Sequence, residues 1–548
     1  MITKQCIASN QTFTITDDDV QFYAKMGVPL PTLCPAERAR RRTAYRNDRH
    51  LYKRQCNGTG KPMISCFSSE APFPVYSHDY WWSDNWDAES FGREYDFNRP
   101  FFEQFHDLRT AVPLLGVAVT HSENCDYNMF CVESKNAYLC QRVANSEDVM
   151  YSHLPIRSRD CVDCYHLYDS ELCYEVIDGE NCYNVSFSQN VAHCRDAKFL
   201  FNCRNCQHCF FCANLRNAEY YFCNQKYTPA EYQKKMAEFT NLSHPQKQKL
   251  WTDFVRLKSE QTVPALWSQQ TENVSGNYIY ESKNVLHSYD VKGGQDIKYS
   301  WGASFCHDLW DTSYMFHNNN CYEVCSGIYG GYLRFCFGCY NDSLHLDYCF
   351  NCMSCESCFG CCGLKKRKNC ILNRAYTNHE YENLTKKIIN HMTETGEWGE
   401  FFPIKYSPFA YNETVAHEYL PLTKAEASKR GYNWRDDQAS TKYIGQTHTI
   451  PDRITDVSND ICQQILTCEA TGRNYKIQKS EFAFYQQLGL PIPRLHHDER
   501  HRRRVSLRNP RRLWNRQCAQ CSVDIKTTFS PDRPEKVLCE KCYLKVVN

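Results

Sequence analysis

Cys518-Ala-Gln-Cys521 and Cys539-Glu-Lys-Cys542 stand seventeen residues apart near the end of the chain. Two CxxC pairs at that separation place four thiolates on two tight turns, which suits a tetrahedral zinc ion at about 2.3 Å. No ligand position is left for water, so the chemistry is that of a structural ion rather than a catalytic one. At least one Zn2+ is therefore expected.

Beside this motif lies a basic run: Arg500, Arg503, Arg504, Arg508 and Arg511. It has a counterpart at the other end of the chain in Arg38, Arg41, Arg42, Arg46 and Arg49. Sliding the chain by 462 positions superposes the two without a gap. Cys6 then meets Cys468, Phe22-Tyr23 meets Phe484-Tyr485, and Arg54-Gln55-Cys56 meets Arg516-Gln517-Cys518. Roughly two positions in five are identical, which marks an internal duplication. The first copy has lost the CxxC ribbon, since Thr59, Ser77 and Tyr80 replace the last three thiols. Cys6, Cys34, Cys56 and Cys66 remain there as candidate ligands, as do Cys468 and His496 in the second copy, His496 standing where Cys34 was. Three- and four-residue spacing puts Arg38, Arg42, Arg46, Arg49 and Lys53 on one helical face. Clustered arginine beside a zinc staple is the footprint of a phosphate-binding surface, so RNA before DNA is the expected partner. The rival expectation is a face whose charges pair with acids elsewhere in a chain of net charge +1.

The third chemical feature is the supply of 35 cysteines. From Cys125 to Cys212 twelve of them share one phase modulo three, and Ser122, Ser134, Ser146, Ser158 and Ser170 recur every 12 residues. Periods of 3.6 or 2 would scramble that phase. Three nested in twelve predicts a small triangular solenoid, with small side chains turned inward and coils sharing a core. Val285, Ile297, Leu309 and Cys321 repeat the step in a second array. Each array ends in a CxxCxxCxxC run, Cys203, Cys206, Cys209, Cys212 and Cys352, Cys355, Cys358, Cys361. Four fates are open to these runs: inward packing, a thiophilic ion, a disulfide ladder, or an iron–sulfur cluster. The last is disfavoured by spacings that depart from the ferredoxin pattern.

The elements around these groups follow. The fold class expected is multidomain and mainly β or irregular, with duplicated treble-clef or zinc-ribbon-like terminal modules flanking two short Cys-rich triangular β-solenoids and interspersed helices. Boundaries fall at 1–70, 71–118, 119–226, 227–275, 276–375, 376–455 and 456–548. Capping boxes at Thr228-Pro229-Ala-Glu231 and at Thr423 with Glu426 start helices, as does Thr377. Pro510 should end the second arginine helix near Asn509. Trp81, Trp82, Trp86, Tyr95, Phe101, Phe102 and Phe105 read as the core of a compact linker domain. Aromatics make up 14% of the chain. The first residues lack an apolar leader and no run reaches the roughly 20 apolar residues of a membrane helix. A cytoplasmic protein with reduced or metal-bound thiols and no membrane partner is expected.

The segment FTITDDDVQFYAKMGVPLPTLCPAER resembles a small treble-clef family of zinc-binding domains. That family has CxxC at both knuckles, where this chain has Cys6-Ile-Ala-Ser9 and Cys34-Pro-Ala-Glu37. Through FYAKMGVPLPTLCP, YWWSDNWD, RPFFEQF, SPFAYNETVAHEYLPLTK and RNPRRLWNRQCAQC, the chain resembles a Cys-rich zinc-binding family of candidate-phylum bacteria over nearly its full length. The resemblance implies zinc binding. Some members carry a CaiB/BaiF CoA-transferase label, for which these residues offer no support. A nucleophile elbow, phosphate loop, Rossmann fingerprint or HExxH motif is not found, so a non-enzymatic binding or scaffold protein is expected. The alternatives are a metal-handling or redox protein built on the CxxCxxCxxC coils, and a structural solenoid for protein assembly.

Overall fold

The computed structural model describes residues 1–436 and 448–547. Its middle is built from a three-residue unit. One residue pairs its backbone with the next coil, the second turns its side chain inward, and the third occupies the left-handed region. Asp160, Asp163, His166 and Asp169 are successive examples of the third kind, with φ between 49° and 58°. Asn and Asp tolerate that conformation better than other L-residues, which explains their frequency at these corners. Many also bond the same corner of the next coil, as Asn136 does with Asp148 at 2.9 Å and Asn184 with Asp196 at 2.7 Å.

Every parallel pairing in the first solenoid joins residues twelve apart. Glu147, Arg159, Glu171 and Tyr183 form one ladder, Met150, Val162, Tyr174 and Ser186 a second. His153, Tyr165, Ile177 and Gln189 form a third, Ile156, Tyr168, Glu180 and Ala192 a fourth. The coil is thus four-sided, not triangular as the spacing had suggested. A corner falls at every third residue, so a coil of twelve has four sides. The inward phase belongs to Cys161, Cys164, Cys173, Val149 and Val185, all fully buried. So narrow a lumen is filled mainly by Cys, Ala and Val, with a few larger aliphatics such as Leu167 and Leu200. The second solenoid keeps the same step from Val285 to Ile297 and Leu309. It then shifts register between Ile328 and Gly330, where Asn341 and Asp342 are both left-handed. This bulge adds one residue to a coil and moves the inward phase on by one, from Cys336 and Cys339 to Cys349 and Cys352, all of them buried.

Helices Pro229–Met236, His244–Ser259, Asn378–Glu394 and Lys424–Lys429 each start at a capping box. Among the described residues no helix is long and apolar enough to cross a membrane. Trp81, Phe101, Phe102 and Phe105 are buried, with Phe101 edge-on to Tyr348 and Phe359 of the second solenoid.

Each terminal module holds two hairpins with a cysteine just past the first strand. The strands are Ile2–Gln5 with Thr12–Ile15, Tyr52–Gln55 with Pro62–Ser65, Leu466–Thr467 with Asn474–Tyr475, and Trp514–Gln517 with Asp524–Thr527. All four turns close alike: the N–H of Cys6, Cys56, Cys468 and Cys518 donates to a carbonyl five residues on at 2.9 Å. The docking is crossed. Phe22 of the first module stacks on Trp310 of the second solenoid with ring centroids 4.0 Å apart. Tyr485 of the last module packs edge-on to Tyr174 of the first solenoid.

Candidate metal centre and arginine clamps

Cys518 and Cys521 lie on the turn of the last hairpin, while Cys539 and Cys542 flank the start of helix Glu540–Val547. The sulfur atoms of all four lie within 4.8 Å of one another, with Cys521 and Cys539 Sγ at 3.7 Å. Four ligands at about 2.3 Å from a common centre have edges near 3.75 Å, so this spacing fits a tetrahedral thiolate site. The Cys539 N–H donates to Cys518 Sγ at 3.3 Å. Against the upward push of burial, such backbone donors hold the Cys518 thiol down at about 6, and so favour the thiolate a metal requires. The four cysteines can hold a metal ion.

The remaining candidate ligands are not brought together this way. In the first module Cys56 accepts the Ser77 N–H at 3.3 Å, the same bond that Cys518 accepts from Cys539, but Thr59, Ser77 and Tyr80 supply no thiolate. Cys34 Sγ stands 3.8 Å from Ser9 Oγ. Cys6 and Cys34 share one knuckle, whereas Cys56 sits on the other hairpin. Cys468 takes a bond from the His496 backbone rather than its ring. The His496 ring groups instead with His497 and Asp498. Asp498 is already held by Arg49 at 2.6 Å and Arg473 at 2.7 Å, and two guanidiniums there oppose a cation. The solenoid runs Cys203, Cys206, Cys209, Cys212 and Cys352, Cys355, Cys358, Cys361 turn inward, each thiol facing carbonyls two residues back and nine ahead. Among the described residues they form no set of three ligand atoms within metal reach. All thirty-five cysteines are free thiols.

The arginines hold the largest correction. Arg38, Arg42, Arg46, Arg500 and Arg504 are buried, and Arg508 and Arg511 nearly so. Arg500 and Arg504 both close on Asp163, a corner of the first solenoid, Arg504 at 2.7 Å. Their counterparts Arg38 and Arg42 close on Asp311 at 2.9 Å and Glu323 at 2.8 Å, both on the second solenoid. Arg508 spans the two solenoids, reaching Asp178 at 3.0 Å and Asp290 at 2.6 Å, and Arg511 joins it on Asp290 at 2.8 Å. Arg46 pairs with Asp48 at 2.7 Å and lies over the rings of Phe130 and Tyr314. Arg41 and Arg49 pair with Glu400 and Asp498. Of the ten residues expected to contact phosphate, only Arg503 keeps a half-exposed side chain. The helix Pro35–Thr43 also ends before Arg46, Arg49 and Lys53, so these do not share its face. A guanidinium in so dry a site demands a carboxylate, and the corners of the solenoids provide it. The acids Asp163, Asp178, Asp290, Asp311 and Glu323 are the functional partners that sequence reasoning missed. Their only signal was an acid at a corner position with a wholly buried neighbourhood.

No family model matches the chain, and no curated protein matches it. One solved structure, a chain described as an acetyltransferase from Desulfovibrio desulfuricans G20, aligns with 44% of this chain at 10% identity and a TM-score of 0.10. The chain spans 60% of that protein's length. A likeness this slight carries no argument about fold or activity.

Proposed function

We propose that this protein is a non-enzymatic, zinc-stabilised binding scaffold whose recognition surface lies on the solenoids and whose partner is another protein. The crossed clamps carry this reading. The duplicated arginines are spent on holding the molecule together, which leaves the outer solenoid corners for recognition. Zinc is the ion that suits four thiolates with no open position.

On the second solenoid the corners form an exposed aromatic stripe. Phe305 stacks on His317 and His317 on Tyr329, each pair 5.1 Å apart, and Tyr332 stacks on His345 at 4.7 Å. Phe305, Tyr329 and Tyr332 are 46%, 48% and 51% exposed. Large aromatics presented to water on a stiff support favour a protein interface over simple solvation. The test is to crosslink the protein in its own cells, purify the captured partner and measure rebinding. A Phe305→Ser, Tyr329→Ser, Tyr332→Ser triple variant should weaken that binding at least tenfold with zinc content unchanged. Binding to total RNA that falls steeply with salt and ignores the triple variant would overturn the reading in favour of a phosphate-bearing partner.

A further inference from the structure

Between the two solenoids lies a cavity of about 390 Å³, within the size range of small-molecule sites. Its walls come from both solenoids and from the segment joining them, so it exists only when the crossed clamps are closed. Arg142, His166, Arg204, Trp267, Tyr280 and Arg511 are among its lining residues.

Two of these side chains have unused polar capacity. His166 and Arg511 are more than nine-tenths buried, at 8% and 7% side-chain exposure. His166 Nε2 and Arg511 Nε and Nη1 have no hydrogen-bond partner. Such buried groups are costly to leave unmet unless something else satisfies them. His166 Nδ1 faces Asp178 at 3.7 Å and Asp290 at 3.8 Å. Two carboxylates on that side favour the tautomer with its proton on Nδ1, which leaves Nε2 as an acceptor.

The charges decide the ligand's sign. Asp290 is satisfied by Arg508 and Arg511, and Asp178 by Arg508. Lys292 is matched at the rim by Glu180 and Glu281. Arg142 and Arg204 also line the cavity, and neither forms an ion pair among the described residues; Arg142 only lies over the Tyr314 ring. The two unpaired guanidiniums outweigh the one carboxylate left over at the rim and, beside a third guanidinium with free donors, make a socket for a carboxylate or phosphate. Trp267, Tyr278 and Tyr280 provide flat apolar surface beside it.

We propose that this cavity binds a small organic oxyanion, a carboxylate or a phosphate monoester attached to a planar ring. The site is independent of the protein interface on the aromatic stripe.

Calorimetric titration of the full chain at low salt tests it, with phenyl phosphate and benzoate as ring-bearing anions, inorganic phosphate as the ringless anion and benzylamine as the cation. Saturable binding of phenyl phosphate or benzoate at one site per chain is expected, tighter than inorganic phosphate, with no binding of benzylamine. Whichever ring-bearing anion binds more tightly assigns the oxyanion. Arg204→Gln should weaken binding at least tenfold, and Arg204 has no ion pair whose loss would disturb the fold. Gln269→Glu, at the exposed rim, should weaken it by repulsion through a change that leaves the core untouched. Arg159→Gln, on another face and paired with Glu171 at 2.8 Å, should leave it unchanged. Failure of both ring-bearing anions to saturate by about 10 mM, a binding free energy of about −2.7 kcal/mol, would overturn the proposal. Binding of benzylamine as tight as that of the anions, or indifference to both cavity variants, would overturn it equally.

Discussion

Arg504 reaches Asp163 at 2.7 Å across 341 residues of sequence, and both side chains are essentially dry. Asp163 is shared with Arg500, so one carboxylate answers two guanidiniums. Asp163→Asn should therefore cost about 3–5 kcal/mol, because it strands buried positive charge. The exposed pair Arg157–Asp169 offers a control of similar length at 2.6 Å; Asp169→Asn should cost about 1 kcal/mol or less. Urea unfolding of the two variants separates these outcomes. Equal costs would mean that the clamp is solvated and not structural.

Metal content distinguishes the four hairpins. They turn alike, yet among the described residues only the last lies beside a further cysteine pair that completes four thiolates. Elemental analysis should find one zinc per chain. Cys539→Ser should abolish it, while Cys6→Ser and Cys468→Ser leave it unchanged. Because Val537 and Leu538 pair with Val263 and Pro264 of the connector, loss of zinc should also raise hydrogen exchange in 262–265. Several zinc ions, or iron with labile sulfide, would shift the metal chemistry into the solenoids.

Thiol reactivity reports on the lumen. Cys223 and Cys521 are exposed, and Cys462 and Cys539 partly so; the remaining cysteines are buried. The zinc-loaded native chain should modify rapidly at Cys223 and more slowly at Cys462. Chelation should add the ribbon thiols, and only denaturation the rest. Rapid labelling of many thiols in the native chain would refute an inward-packed lumen.

Glu323 makes the second clamp sensitive to pH. Burial drives its carboxyl up to about 7, with Asp311 adding to the effect and Arg42 opposing it. An acid whose folded pKa exceeds its ordinary value of 4.5 holds its proton longer in the native chain. Stability should then fall as pH rises from about 4.5 to 7, by up to about 3 kcal/mol. Glu323→Gln should flatten that slope. Denaturant midpoints at pH 5 and pH 7 for both chains decide it, and an unchanged slope would place the pH dependence elsewhere.

Much of this architecture was legible in the residues. The shared phase of Cys161, Cys164 and Cys173 reports the inward direction, since no other period keeps it. The number of sides was misjudged although three and twelve were both in hand: corners are marked by backbone conformation, which Asp163 or His166 shows only by type. The CxxC pairs at 518–521 and 539–542 were readable because metal geometry is local. Burial of Arg38 and Arg500 was not readable, because an arginine run has the same composition on a nucleic-acid surface and in a clamp. What distinguishes them is a carboxylate hundreds of positions away.

The crossed docking also bears on how the chain is made. The first module leaves the ribosome long before Asp311 and Glu323 exist, a wait on the order of tens of seconds at ordinary rates of translation. The first solenoid, complete early, keeps Asp163 uncovered until the last module arrives. A nascent chain cut short anywhere between carries an open anionic socket, an unmatched cationic plug, or both. Each clamp therefore closes only after both of its partners, hundreds of residues apart, have been made.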